Sequence, residues 1–190
     1  HRSKEYDEVH TDAMETFRAL LSVPETHEIL FLGGGATMQF GMVPMNFLAG
    51  GSCDFTLTGA WAKKALADAK LFGNVELLFD GSDSGFSTLP DPGSIRPHAD
   101  ARYLHLTSNE TIGGLQWKSF PDAGDVPLVA DMSSDIMSRP VDLAPFGLVY
   151  AGAQKNLGPA GVTVIIVRKE MLEKEAENLP AYLRYSTHAE

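Results

Sequence analysis

An open α/β domain, with a mostly parallel sheet and helices on both faces, is the architecture this sequence predicts, and three observations predict it. Segments with helical spacing of apolar residues alternate with short apolar runs that read as strands. The run His27-Glu28-Ile29-Leu30-Phe31-Leu32 passes through Gly33-Gly34-Gly35 into a second helical stretch, which is how an α/β unit opens. Several strand-like runs end in polar residues just before a turn, where open α/β sheets place their ligand sites.

Taken in order, residues 4–21 carry Tyr6, Val9, Met14, Phe17, Leu20 and Leu21 at helix-like spacing, and Pro24 closes the segment. After the first strand and its glycines, residues 38–48 read as a helix weakened by Pro44. Phe55-Thr56-Leu57 is a strand, residues 60–69 a helix, and Val75-Glu76-Leu77-Leu78-Phe79 a further strand. Residues 80–97, rich in Gly, Ser, Asp and Pro, form an irregular excursion. Residues 101–106 form a strand that ends at Thr107-Ser108-Asn109-Glu110-Thr111, and Pro127-Leu128-Val129-Ala130-Asp131 forms one that ends at Asp131. Leu148-Val149-Tyr150-Ala151 and residues 162–167 flank a glycine-rich turn, and a charged helix is expected from near Lys169.

Composition narrows the function classes. The chain has 190 residues, 44% of them hydrophobic, which is enough to bury one core. Fifteen basic and 25 acidic residues give a net charge of −10, which argues against a protein that binds by neutralising nucleic-acid phosphates. A single cysteine, Cys53, allows no internal disulfide and no cysteine zinc cage, in keeping with a cytoplasmic location. No apolar run approaches the roughly 20 residues of a membrane span, so no membrane partner is expected. The six histidines never fall at zinc-helix spacing, and Gly81-Ser82-Asp83-Ser84-Gly85 has Asp where a nucleophile elbow needs Ser. The opening His1-Arg2-Ser3, without an initiator Met, reads as the start of a fragment.

Five features carry chemistry, each with a plainer reading beside it. Lys155 lies between an apolar strand and Gly158-Pro159-Ala160-Gly161; its amine is either desolvated into a nucleophile or a solvated turn lysine. Asp131 ends an apolar strand 24 residues earlier, so it is either an anionic partner for a cofactor ring nitrogen or a helix N-cap in Asp-x-Ser-Ser. Gly34-Gly35-Ala36-Thr37 before a helix offers amides and a hydroxyl to a phosphate, or merely lets backbones pack closely. The indole of Trp61 either stacks on a planar cofactor or fills the core. Thr111 is a donor to a cofactor oxygen or part of an ordinary turn.

The stretch Tyr150-Ala151-Gly152-Ala153-Gln154-Lys155-Asn156-Leu157-Gly158-Pro159-Ala160-Gly161 closely resembles the cofactor-lysine segment of the phosphoserine aminotransferase family. His1-Arg2-Ser3-Lys4-Glu5, Gly33-Gly34-Gly35-Ala36-Thr37-Met38-Gln39-Phe40, Asn109-Glu110-Thr111-Ile112, Ala130-Asp131 with Ser133-Ser134, and Ser138-Arg139-Pro140 follow in the family's order. The resemblance implies a fold-type I, class V enzyme that binds pyridoxal 5'-phosphate. It also implies amino transfer between L-glutamate and the phosphorylated 2-oxo acid 3-phosphohydroxypyruvate, giving O-phospho-L-serine and 2-oxoglutarate in serine biosynthesis. Under it Lys155 is the cofactor lysine, Asp131 pairs with the pyridine nitrogen, Trp61 stacks on the ring and Thr111 bonds a ring oxygen. Ala36, Thr37 and Gln154 bind the cofactor phosphate, Arg2 clamps the substrate carboxylate, and His1 lies near the substrate phosphate. Some members carry Arg in the glycine turn, where this chain has Ala36-Thr37-Met38. The family implies a homodimer, with residues 1–190 as part of the cofactor-binding large domain and the small C-terminal domain outside this chain. The alternatives are another class V enzyme, such as an alanine–glyoxylate aminotransferase or a cysteine desulfurase using Cys53, and a non-catalytic cofactor-binding fragment.

Overall fold

The computed structural model describes residues 3–189. Helix α1, Lys4–Leu21, starts where the Ser3 side chain accepts a hydrogen bond from the Tyr6 amide, and Glu5 and Asp7 add negative charge to its first turn. Strand β1 spans His27–Leu32, α2 Gly35–Phe47, β2 Ser52–Leu57, α3 Ala60–Ala69 and β3 Asn74–Asp80. There follow β4, Leu104–Thr107, a small hairpin of β5, Asn109–Glu110, with β6, Leu115–Gln116, and then β7, Leu128–Asp131. Strand β8, Phe146–Gly152, leads through the single turn α4, Ala153–Asn156, to β9, Thr163–Arg168, and α5, Lys169–Leu172.

Seven strands form one sheet in the order β1-β9-β8-β7-β4-β2-β3. The pairs β8·β7, β7·β4, β4·β2 and β2·β3 are parallel, whereas β9 runs against both β8 and β1. Six strands therefore share one direction, and their carboxyl ends share one edge. This is the mostly parallel α/β sheet that the alternating segments predict.

Period-2 alternation divides the core into two layers. Leu148, Tyr150, Ile165 and Val167 point toward Phe40, Val43 and Phe47 of α2 and Ala62, Ala65 and Leu66 of α3. Val149, Ala151, Val164 and Ile166 point the other way, toward Trp117, Ile136 and Leu143 and the inner side of α1 at Met14, Phe17 and Leu21. Helices thus lie on both faces, although irregular segments cover much of the second.

Two expectations need correction. The charged helix from Lys169 stops at Leu172, because the segment beyond it gives its polar groups to tertiary partners. Glu175, buried, accepts from Arg184 Nε at 2.8 Å and from the Ser186 amide at 3.0 Å, and the Ala176 amide donates to the Asn46 carbonyl at 2.8 Å. Pro180 then blocks any return to helix. The strand expected from residue 101 begins at Leu104, since the Ala101 amide closes a turn onto His98 and the Arg102 amide donates to Ser52.

His105 of β4 sits within the first core layer. Its Nε2 shares a 2.9 Å hydrogen bond with the Tyr150 hydroxyl, its ring stacks on Phe55 at 4.4 Å, and Nδ1 has no partner among the described residues. Burial pushes its pKa down to about 3. An unfolded chain binds this proton near pH 6.5 while the folded one refuses it until about pH 3, so acidification across that window destabilises the fold. We expect His105→Phe, whatever its offset in stability, to flatten the loss of unfolding free energy below pH 6.5 by up to about 1.4 kcal/mol per pH unit. Urea titrations of both proteins between pH 8 and 4 measure the difference; parallel curves would contradict it.

Candidate active site

The carboxyl edge of the sheet gathers the chemically competent side chains. After β1 the chain turns through Gly34 at φ 88° and Gly35 at φ 67°, left-handed backbone that glycine adopts without strain. Gly34 is also required sterically, since a Cβ there would lie 2.7 Å from that of Met38. Helix α2 then starts without a side-chain cap, so its first amides remain donors at the positive end of the helix dipole. Ala36, half-buried, and Thr37, exposed, occupy that first turn. Leu32 at the end of β1 and Gly152 at the end of β8 both pair with Thr163 of β9, which brings the glycine turn and the α4 turn to the same edge, two strands apart.

Lys155 extends from α4 toward the ends of β4 and β2. Its Nζ donates to Thr111 Oγ1 at 3.0 Å and lies 4.6 Å from the centre of the Trp61 ring. Lys64, one turn along α3, places a second ammonium 4.5 Å from that ring. The sequence leads one to expect a lysine against buried backbone; instead Lys155 is exposed, because α4 carries it past the end of the sheet. Its neighbours are a hydroxyl and an aromatic face, a cation–π arrangement.

Asp131 ends β7, next to β8, and is 5% exposed. Its Oδ1 accepts from the Ser133 amide at 2.9 Å and the Ser133 hydroxyl at 2.6 Å, and Ser133 Oγ in turn accepts from the Gly152 amide at 3.0 Å. This chain of bonds ties the aspartate to the residue that starts the lysine turn. The capping geometry anticipated from Asp-x-Ser-Ser is therefore present, but it uses one oxygen; Oδ2 has no hydrogen-bond partner among the described residues. Burial raises the Asp131 pKa, opposed by the two Ser133 hydrogen bonds and the Lys155 charge and reinforced by the Glu110 charge. A carboxylate so placed gains most from a cationic hydrogen-bond donor.

The residues present fit the cofactor that the sequence implies. A buried carboxylate has an oxygen to spare, an indole face lies beside the lysine, and free helix amides face the same edge. Buried Trp61 Nε1, in the first turn of α3, and the buried hydroxyls of Thr58 and Thr107, at the ends of β2 and β4, also lack partners among the described residues. Gln154, exposed, folds its amide back over Gly152, where a Cβ would meet its Oε1 at 2.8 Å. Thus Lys155 touches both Thr111 and Trp61, Ser133 ties Asp131 to Gly152 at the start of the lysine turn, and Ala36, Thr37 and Gln154 lie at the same edge. His1 and Arg2 lie outside the described residues.

Two contributors escaped reading as site residues. Ser133 lies within the Asp131 motif, and its bridging role shows only once β7 and β8 pair. Glu110 appears in the sequence as a turn residue, yet its buried carboxylate accepts from the Trp61 amide at 3.0 Å and the Ala62 amide at 2.9 Å. The signal for it is Gly59, a helix N-cap that has no side chain to offer. Cys53, by contrast, is buried in β2 and its thiol is pushed up to about 12 by burial, which removes it as a nucleophile.

The aminotransferase class-V family matches residues 1–180 of this chain. The phosphoserine aminotransferase of Lysinibacillus sphaericus (strain C3-41) is 50% identical over 191 residues, covering all of this chain and 53% of that protein. The structure of phosphoserine aminotransferase from Bacillus circulans subsp. alkalophilus superimposes with a TM-score of 0.95 at 53% identity, over 98% of this chain and 52% of that one. The pyridoxal-phosphate-bound phosphoserine aminotransferase of Trichomonas vaginalis does so with 0.90 at 36% identity, over 98% and 56%. The chain spans about half the length of the curated relatives it matches. On the family match and this geometry together, the chain belongs to the class-V aminotransferases.

Proposed function

We propose that the chain forms part of the cofactor-binding large domain of a phosphoserine transaminase, one that moves an amino group between L-glutamate and 3-phosphohydroxypyruvate. The observation that carries this reading is the contact of Lys155 with Thr111 and Trp61 beside a buried aspartate that keeps one carboxylate oxygen free. Likeness to phosphoserine aminotransferases at about half identity supports the substrate.

Pyridoxal phosphate, when bound, supplies an electron sink for the carbanion that forms at the substrate α-carbon. In this reading Asp131 Oδ2 holds the proton on the pyridine nitrogen through a charge-assisted hydrogen bond. Trp61 fixes the plane of the ring, and Thr111 donates to the ring oxygen. The first amides of α2 at Ala36 and Thr37, with the Gln154 amide, hold the cofactor phosphate. Lys155 Nζ is the base that takes the substrate's α-proton, and Thr111 holds it on that side of the ring. Arg2 serves the substrate carboxylate through its planar fork and His1 the substrate phosphate. The first turn of α2 carries no basic residue, so recognition of the substrate phosphate falls to groups outside it. A homodimer in the cytoplasm belongs to the same proposal; no helix among the described residues is long and apolar enough to cross a membrane.

The test compares amino acceptors in the full-length protein with L-glutamate as donor. We expect kcat/KM for 3-phosphohydroxypyruvate to exceed that for glyoxylate by on the order of 10²-fold or more, as a site built for a charged phosphate requires. Equal or better use of glyoxylate would move the assignment to another class V aminotransferase.

A further inference from the structure

We propose that Glu110 is a positioning residue: its carboxylate locks the Trp61 ring and the Thr111 hydroxyl at one spacing, and thereby sets the Lys155 amine that touches both. This rests on the transaminase reading for its consequence, but its geometry stands on the chain alone.

Helix α3 begins with donors that nothing local satisfies. Its N-cap, Gly59, has no side chain, and the Trp61 and Ala62 amides belong to the first turn, which has no intrahelical acceptor. Glu110, 1% exposed, satisfies both, with Oε2 on Trp61 and Oε1 on Ala62. Its charge also faces the positive end of the helix. A Ser or Asp at position 59 would have capped α3 from within. Here the acceptor comes from β5, 48 residues along the chain, and it immediately precedes Thr111.

Gly59 and Glu110 form one joint. The backbone of Gly59 is extended, at φ 170°, so conformation does not demand glycine there. Space does: a Cβ would lie 2.5 Å from Glu110 Cδ and 2.6 Å from Oε2. Trp61 Nε1 is buried without a partner among the described residues, so the polar contacts of the ring itself are the Lys64 and Lys155 ammonium groups over its face. Glu110 fixes the backbone from which that ring extends, because it grips the Trp61 amide. On the other side, Thr111 takes the Lys155 ammonium. One side chain thus governs the distance between the two groups that bracket the lysine.

The experiment uses the full-length protein labelled with 5-fluorotryptophan, the Trp61 resonance being assigned by its loss in Trp61→Phe. Two variants disturb the joint from opposite sides. Glu110→Gln keeps the volume but turns an amide N–H₂ toward a backbone N–H, and Gly59→Ala drives a methyl into the intact carboxylate. In the cofactor-free protein we expect the Trp61 ¹⁹F line to shift or broaden in both. Titrated with pyridoxal phosphate, both should bind about tenfold more weakly, as the loss of one charge-assisted hydrogen bond implies. The pH midpoint of the bound cofactor's absorbance should also move, because Lys155 is displaced. If either variant fails to fold, the other decides. An unchanged ¹⁹F line and an affinity within about twofold of the parent would reduce Glu110 to a helix cap and overturn the proposal, even if the melting temperature falls. Failure of the parent itself to take pyridoxal phosphate at Lys155 would instead overturn the transaminase reading, and the ¹⁹F line would still decide whether Glu110 orients Trp61.

Discussion

Lys155→Ala is expected to lower turnover with L-glutamate and 3-phosphohydroxypyruvate by on the order of 10⁴-fold or more, while leaving the fold intact. The fold survives because the side chain is exposed and makes one hydrogen bond, to Thr111, so its removal opens no cavity. The chemistry does not, because among the described residues no other amine touches both Thr111 and Trp61. Lys64 shares the Trp61 ring, but it stands a turn along α3, without the hydroxyl contact that directs Lys155. Stopped-flow absorbance of each half-reaction separates loss of the base from loss of binding. A variant that binds pyridoxal phosphate and turns over at more than about a tenth of the parent rate would show that Lys155 is a surface lysine.

Asp131→Asn is the second large effect, expected at on the order of 10²–10³-fold in kcat, the loss typical of removing one preorganised electrostatic group. Asparagine keeps the shape and can still accept from Ser133, so the turn that begins α4 stays tied through Ser133 and Gly152. What it loses is the negative charge at the oxygen that the proposed function assigns to the pyridine nitrogen. Since burial already raises the Asp131 pKa, the carboxylate is costly to maintain without a cationic partner. The substitution should therefore leave stability unchanged or slightly improved in the absence of cofactor, while kcat falls. Steady-state kinetics beside urea unfolding of the cofactor-free protein checks both halves; a fall in stability with unchanged kcat would assign Asp131 to capping alone.

These two residues were legible because each ends or follows a strand whose apolar run is unmistakable. The twelve-residue stretch around Lys155 and the pairing of β7 with β8 then place them side by side. The glycine turn was legible for the same reason, as a break between an apolar strand and a helix. What local pattern does not carry is long-range polar satisfaction. Glu110 reads as a turn residue until the bare N-terminus of α3 is brought against it, and Glu175 reads as part of a helix until Arg184 and Ser186 fold back onto it. The exposure of Lys155 depends on how far a single turn of helix projects beyond the sheet, which periodicity does not encode. The antiparallel strand β9 was likewise not marked by its residues, which are as apolar as those of a parallel neighbour.

The proposed function stands on this edge of the sheet binding pyridoxal phosphate at Lys155. Its most direct test is to reduce the pyridoxal-phosphate-loaded protein with borohydride and map the labelled peptide by mass spectrometry. One label is expected, on Lys155, and Lys155→Ala removes it. A label on Lys63, Lys64 or another lysine with Lys155 unmodified would contradict it.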